Sequence, residues 1–254
     1  MAVPTPTIRA ATLRDVDALA ALFIKQTSDD GFHDIFFPGK GRYPRDYRAW
    51  VRHYMRDAVL RPYSALFVAE SRREGDAAAE LVGFVAWAFY PTSGAWGGEP
   101  DEAPRPKGLP WIAKDSCFEV VRRRAYKTLD AVRDRLFPNR AIDAAALQRW
   151  GRAARAMAET WFVGDDAVNW FCPDLFVDAR YDAAPEEDEK GVSASPSLRS
   201  AFVRWAVDRT QVDGVPVFML GLVNEKEIYE AEGFEVKGEF KFGENTIVAM
   251  RHEV

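Results

Sequence analysis

The segment 198–235 constrains the fold most, because it predicts a helix, a buried strand and a second helix in close succession. Its sequence is LRSAFVRWAVDRTQVDGVPVFMLGLVNEKEIYEAEGFE. Apolar residues spaced three and four apart form one stripe of an amphipathic helix, namely Leu198, Ala201, Phe202, Trp205 and Ala206. The apolar run 215–220 is typical of a strand that is covered on both faces. The segment therefore predicts a sheet strand with helices packed around it.

The ends of these elements carry their own signals. Ser195 and Pro196 predict the N-cap oxygen and the first helical residue of the long helix. Gly214 predicts its C-terminal end, and Gly233 predicts a left-handed stop after the second helix, which carries Tyr229.

Hydrophobic periodicity and turn residues predict the rest of the chain. Thr12 caps a first helix, and an aromatic, glycine-containing loop covers 29–44. Further helices are predicted at 45–60, 117–136 and 142–161, and strands at 7–10, 64–70, 81–90, 170–177, 237–242 and 245–251. The Pro- and Gly-rich stretch 91–109 and the acidic, Ser-containing stretch 181–197 are predicted as surface loops.

Composition narrows the class of protein. The 254 residues are 48% apolar and 29% charged, with a net charge of −5 that disfavours nonspecific binding to nucleic acid or to an anionic membrane. Cys117 and Cys172 lie too far apart in sequence for a disulfide framework or a zinc site, so we expect no metal. No secretory signal is recognisable at the N-terminus, and no apolar run reaches the about 18 residues of a membrane span. We expect a cytoplasmic monomer or homodimer that acts on a small molecule.

The run IRAATLRDVDAL at 8–19, the motif YEAEGF at 229–234 and the order of the elements resemble the GNAT N-acetyltransferase superfamily. The resemblance covers about 8–90 and 170–250 and is best with a divergent, fungal-like subgroup. It implies an α/β (α+β) GNAT fold whose mixed, mostly antiparallel sheet is splayed at an acyl-CoA cleft. We expect one domain over 1–254, with a helical insertion at about 91–168 and an acidic loop at about 181–197.

The resemblance also implies where acetyl-CoA or another acyl-CoA binds, between the strands 170–177 and 215–220. A backbone amide near Phe176 or Val177 then polarises the thioester carbonyl. The pyrophosphate loop of the family, Gln/Arg-x-x-Gly-x-Gly/Ala, aligns with 193–198, SASPSL, where neither glycine is present and Pro196 removes an amide hydrogen. The remaining candidate donor-binding residues are Ser193, Ser195, Ser197, Arg199 and Asn224.

Three residues are candidates for catalysis. The resemblance implies that Tyr229 protonates the leaving thiolate, although it could instead pack against the sheet with its hydroxyl bonded elsewhere. Asp174 lies in an otherwise apolar strand, where alternation predicts that it shares a face with Trp170, Cys172 and Phe176. It is either the general base or a carboxylate that bonds a loop amide or reaches solvent. His33 is a second possible base, with a surface position as the alternative.

Aromatic residues suggest a pocket for a ring-bearing substrate. The candidate substrate-binding residues are Asp34, Phe37, Trp87, Phe89 and Trp170. Trp87 and Phe89 share one face of their strand, and that face is directed either into the cleft or into the core.

Three functions remain open from the sequence. The first is N-acyl transfer from acyl-CoA to a small-molecule acceptor by direct attack. The second is a GNAT-fold enzyme of secondary metabolism that has lost CoA and decarboxylates, cyclises or condenses an aromatic or polyketide-like metabolite. The third is a binding protein without catalysis.

Overall fold

The computed structural model of the chain describes residues 5–62, 64–72, 79–91, 117–161, 168–182 and 197–254. Most of the two predicted surface loops therefore lies outside the described residues. The same holds for the candidate donor-binding residues Ser193 and Ser195.

Within the described residues, seven strands form one sheet in the order β1-β2-β3-β4-β5-β7-β6. The strands are β1 Thr7–Ala10, β2 Ser64–Ser71, β3 Glu80–Pro91, β4 Val168–Val177, β5 Val217–Leu222, β6 Glu235–Phe242 and β7 Asn245–His252. Every neighbouring pair is antiparallel except β4 and β5, which run parallel. This is the predicted mixed, mostly antiparallel sheet, and the predicted strands agree with it to within two residues at most ends.

The helices of the described chain are α1 Val16–Gln26, α2 Gly31–Phe36, α3 Pro44–Leu60, α4 Cys117–Leu136, α5 Ala144–Trp161, α6 Ala179–Asp182, α7 Leu198–Asp213 and α8 Lys226–Glu230. Helix α2 corrects the sequence prediction, which placed a loop over 29–44. The Asp30 carboxylate accepts a hydrogen bond from the Phe32 amide at 2.9 Å and so supplies the N-cap of a short helix. None of the described helices is both long and apolar enough to cross a bilayer.

The start of α7 is a second correction. The N-cap is Ser197, whose hydroxyl accepts from the Ser200 amide at 3.1 Å, and not Ser195. Its end agrees with the prediction, because Gly214 has a φ of 64° and closes the helix in the left-handed region.

Helices cover both faces of the sheet. On one face, α7 and α8 pack on a core that includes Trp87, Trp170, Phe202 and Met219. On the other face, α1, α2, α3 and the start of α5 enclose a second core, which includes Phe23, Phe37, Val51, Met55 and Phe84. The two helices α4 and α5 both lie on this second face, where α4 contacts α3 and the start of α5 enters the core.

Candidate active site

Strands β4 and β5 pair over three residues and then diverge. Trp170 to Cys172 of β4 pair with Val217 to Met219 of β5, and no pairing between the two strands follows, although β4 continues to Val177. A wedge opens between them at the centre of the sheet, as the GNAT resemblance implied. Backbone groups of β4 that point toward β5 are left without a strand partner there.

The alternation of backbone groups shows which amides face this wedge. The Asp178 amide donates to the Val82 carbonyl oxygen at 2.8 Å, so the backbone N–H of Asp178 points toward β3. Successive residues of an antiparallel strand direct their backbone N–H and C=O groups to alternate sides. The backbone groups of Val177 and Leu175 therefore point into the wedge, and those of Phe176 point toward β3. Of the two candidate amides, that of Val177 therefore faces the wedge and that of Phe176 does not, and the Leu175 amide also faces the wedge.

A β-bulge corrects the predicted side-chain faces of β4. Cys172 and Pro173 together oppose the single residue Trp87 of β3, which shifts the register by one residue. Trp170 and Cys172 lie in the core beneath α7, whereas Asp174 follows the bulge and is directed to the opposite face. Simple alternation placed all of these on one face and overlooked Pro173, although a proline within a central strand indicates a bulge.

The wedge opens into a cavity of about 420 Å³ that reaches from α2, α3 and α5 on one side to α8 on the other. Its polar lining consists of Asp30, His33, Tyr54, Cys172, Asp174, Glu225 and Tyr229. Its aromatic lining consists of Phe23, Phe32, Phe36, Phe37, Trp50, Trp150, Phe171 and Phe176. Two other hollows, of about 690 and 380 Å³, lie away from the wedge, beside β1 and between α3 and the end of α4.

Asp174 is a carboxylate in mostly apolar surroundings. Burial raises its pKa above the usual value, while a hydrogen bond from the Tyr54 hydroxyl and the charge of His33 act in the opposite direction. A carboxylate whose pKa lies closer to neutrality is a better proton acceptor, and Asp174 lines the cavity directly. The observed partner of Asp174 is thus a phenol within the cavity and not a loop amide, and its role as general base stays a prediction.

His33 lies on α2 and forms a pair with Asp30, whose Oδ2 is 2.6 Å from its Nδ1. Burial alone would raise the pKa of Asp30, but the hydrogen bond and charge of His33 outweigh burial and hold that pKa below its usual value. The His33 ring also packs against Phe23 and Phe176, with centroids 5.3 and 6.0 Å apart. His33 is thus a cavity residue with a fixed orientation.

Tyr229 lies across the cavity, on α8, and is 3% exposed. Burial and the negative charge of Glu225 raise the pKa of its phenol, and the positive charge of Arg199 opposes them. Burial also raises the pKa of the neighbouring Cys172 thiol. Both groups therefore keep their protons at neutral pH, and Tyr229 is available as a proton donor.

Arg199, in the first turn of α7, is held by two carboxylates. Its Nε and Nη2 donate to Asp182 at 3.0 and 2.9 Å, and its Nη1 donates to Glu225 at 3.1 Å. Of the other candidate donor-binding residues, Ser197 caps α7 and Asn224 is exposed in the turn before α8. The positive charge of Arg199 is thus neutralised by Asp182 and Glu225, close enough to Tyr229 to influence the pKa of its phenol.

The candidate substrate-binding residues separate into two groups. Phe37 lines the cavity, and Asp34 is half exposed beside it in an ion pair with Lys40 at 2.5 Å. Trp87, Phe89 and Trp170 are instead buried in the core beneath α7, so these predicted substrate contacts are corrected to core packing. They lie on the face of β3 and β4 that α7 covers, whereas the bulge directs Asp174 to the opposite face.

Several cavity residues have no counterpart among the candidates from the sequence. Trp50 and Tyr54 stack with ring centroids 5.1 Å apart on α3, and Trp150 approaches from α5. Their signal was the position of Trp50 and Tyr54 at i and i+4, beside the apolar stripe of α3. Among the described residues, no group of three or more His, Cys, Asp or Glu is arranged to hold a metal ion.

No protein-family profile matches the sequence, and no curated protein sequence matches it either. Solved structures do resemble the fold. An apo mutant of an agmatine N-acetyltransferase matches with a TM-score of 0.53 and 8% identity, over 98% of this chain and 100% of that one. An acetyltransferase gives a TM-score of 0.49 at 12% identity, over 98% and 99% of the two chains. A protein described as histone acetyltransferase HPA2 and related acetyltransferase, from Corynebacterium glutamicum, gives 0.48 at 13% identity, over 98% and 96%.

These similarities concern the architecture. At such low identity, the agmatine N-acetyltransferase supports the fold and no more. Together with the strand order and the splayed parallel pair, it shows that the chain has the GNAT fold.

Proposed function

We propose that this protein is an N-acyltransferase that transfers an acetyl or other acyl group from acyl-CoA to a small-molecule amine by direct attack. One observation carries the proposal. The wedge between β4 and β5 leads into a cavity that has a carboxylate, Asp174, on one wall and a buried phenol, Tyr229, on another.

The wedge fits the pantetheine arm of an acyl donor. Leu175 and Val177 present backbone groups that β5 does not pair, and these are the hydrogen-bonding partners that an amide-bearing chain requires. The thioester, when bound, supplies the acyl group and a thiolate leaving group. An amide that points into the wedge, such as that of Val177, is suited to stabilise negative charge on the acyl oxygen.

Asp174 and Tyr229 then divide the proton transfers. Asp174, with its raised pKa, accepts a proton from the acceptor ammonium, which frees the nitrogen lone pair for the C–N bond. As the C–S bond breaks, Tyr229 gives its proton to the sulfur, because its buried phenol keeps that proton at neutral pH. The nitrogen loses a second proton as the amide forms, and this proton restores the phenol of Tyr229. The net products are therefore the amide, the free CoA thiol and one proton held by Asp174.

A second candidate is the same cavity used without CoA, for other chemistry on an aromatic metabolite. Arg199 favours it, because this cation at the start of α7 is already neutralised by Asp182 and Glu225 instead of being directed to a pyrophosphate. The acidic Glu225 also lines the cavity beside Tyr229.

Calorimetric titration with acetyl-CoA, followed by mass spectrometry of amine mixtures incubated with protein and acetyl-CoA, tests the first candidate. We expect saturable binding and an acetylated amine, together with free CoA thiol. The matched variants are Tyr229→Phe and Tyr181→Phe, since Tyr181 is buried but bonds Ser71 outside the cavity. Absence of heat at millimolar acetyl-CoA with a folded protein would overturn acyl-CoA use and leave the second candidate.

A further inference from the structure

We propose that the acceptor is a monoamine joined by a short chain to an aromatic ring, and that Trp150 selects the ring. The inference rests on the proposed N-acyltransferase function and names its substrate class. It also gives the helical insertion a role, because Trp150 lies on α5.

Helix α5 forms part of the cavity wall. Leu147, Trp150 and Ala154 line the cavity at spacings of three and four residues, so one face of the helix is directed at it. Trp150 is fixed by Phe32 and Phe242, whose ring centroids lie 5.2 and 5.1 Å away at steep angles. A tryptophan fixed in this way presents a rigid apolar surface to a ligand.

Other rings complete this surface. Phe32, Trp50, Tyr54 and Phe176 also line the cavity, and each is only partly buried. Trp50 and Tyr54 stack nearly parallel, at 7°. A cavity of about 420 Å³ with such walls has the size and character of a site for a single ring-bearing molecule.

The charges of the cavity indicate one ammonium group. Asp30 is paired with His33, and Glu225 is paired with Arg199. Asp174 accepts its hydrogen bond from the neutral hydroxyl of Tyr54, while the charges of His33 and Arg61 act on it electrostatically. A partly buried carboxylate that is hydrogen-bonded to a neutral group is stabilised further by a cation placed beside it, and the surrounding aromatic faces attract the same cation. A polyamine would need further carboxylates that are not already paired.

Binding without an acyl donor tests this proposal. Phenethylamine, phenylacetate and butylamine serve as probes, because they carry ring and cation, ring and anion, and cation alone. Calorimetry is expected to give phenethylamine at least about tenfold tighter binding than either of the others. Equal binding of butylamine, or tighter binding of phenylacetate, would overturn the inference.

Variants separate the contribution of the aromatic ring to binding from that of the ammonium group. Trp150→Leu retains apolar volume in the packed wall but removes the ring, so phenethylamine should bind about tenfold more weakly while butylamine changes little. Trp150→Phe should retain most of the preference. Phe137→Ala, at a 72% exposed position beyond α4, is the control and should leave both constants unchanged. An unchanged phenethylamine constant in folded Trp150→Leu would refute the role of Trp150.

The outcomes also separate this inference from the proposed function. If phenethylamine binds as expected but no amine is acetylated, the acyl-transfer proposal fails and the ligand class stands. If acetylation proceeds equally well on ringless and ring-bearing amines, acyl transfer stands and the ligand class fails.

Discussion

Replacing Asp174 by asparagine is expected to stabilise the protein while removing most of its activity. The carboxylate has a raised pKa, chiefly because burial disfavours its ionised form, so ionisation at neutral pH costs folding free energy. Asparagine removes this charge and keeps an oxygen that can accept the Tyr54 hydrogen bond. The substituted side chain is also nearly the same size, so no cavity is created.

The expected magnitudes follow from these contacts. We expect a gain in unfolding free energy on the order of 1 kcal/mol, which is the usual size of a stabilising single substitution. For a chain of this length that gain raises Tm by about 2 to 4 °C. Loss of a general base lowers kcat by about a hundredfold to ten-thousandfold. Because the folded-state pKa is raised, the stability difference from wild type should shrink as pH falls toward the usual range of a carboxylate.

Asp178 provides a matched control at the end of the same strand. Its carboxylate is 7% exposed and bonds Arg180 and Lys25, which hold its pKa well below the usual value. The same substitution, Asp178→Asn, should therefore lower Tm at neutral pH, and its effect should fade only under strongly acidic conditions. It should retain kcat, because Asp178 does not line the cavity.

Thermal unfolding followed by circular dichroism, at about pH 7 and at about pH 5, measures the change in Tm. Thiol release from acetyl-CoA with an amine acceptor measures the loss of kcat. A fall in Tm for Asp174→Asn comparable to that for Asp178→Asn would show that the Asp174 charge stabilises the fold. A loss of kcat below about tenfold would show that Asp174 is not the base.

Three further outcomes are expected. Tyr229→Phe should lower kcat by about a hundredfold or more and change the unfolding free energy by less than about 1 kcal/mol, whereas Tyr181→Phe should retain kcat. Because burial raises the pKa of Tyr229, the pH profile of the unsubstituted protein should show no loss of the acid form of this residue below about pH 10. Asp15→Asn should cost about 1 to 2 kcal/mol in urea unfolding at neutral pH, because hydrogen bonds hold the Asp15 pKa at about 2 instead of 3.8, and the cost should vanish as pH falls through that value. Gly238→Ala should lower Tm and weaken amine binding, because the added methyl group collides with Trp161 at the end of α5.

Local signals predicted most of the elements. The apolar spacing of 45–60 and 117–136 corresponds to α3 and α4 almost residue for residue, because an amphipathic stripe is a property of neighbouring residues. Helix α2 was missed because it is short, and its cap at Asp30 was read as part of a loop. The start of α7 was placed two residues early, since three serines near it could each supply a cap.

The site was predicted less completely than the fold. Tyr229, Asp174, His33 and Phe37 do line one cavity, although they are far apart in the chain. Trp87 was a candidate for the cavity because its strand face could be directed into the cleft or into the core, and it is fully buried beneath α7.

The sequence by itself determined the order of helices and strands, and with it the GNAT resemblance, because periodicity and capping depend on residues close together in the chain. Only the tertiary structure decided which side chains meet. The bulge at Cys172 and Pro173 turns Asp174 toward Tyr54, and α5 carries Trp150 to the same cavity. Pro173 marks an irregularity in its strand, but which side chains then meet depends on pairing and packing between distant segments, which local residue patterns do not encode.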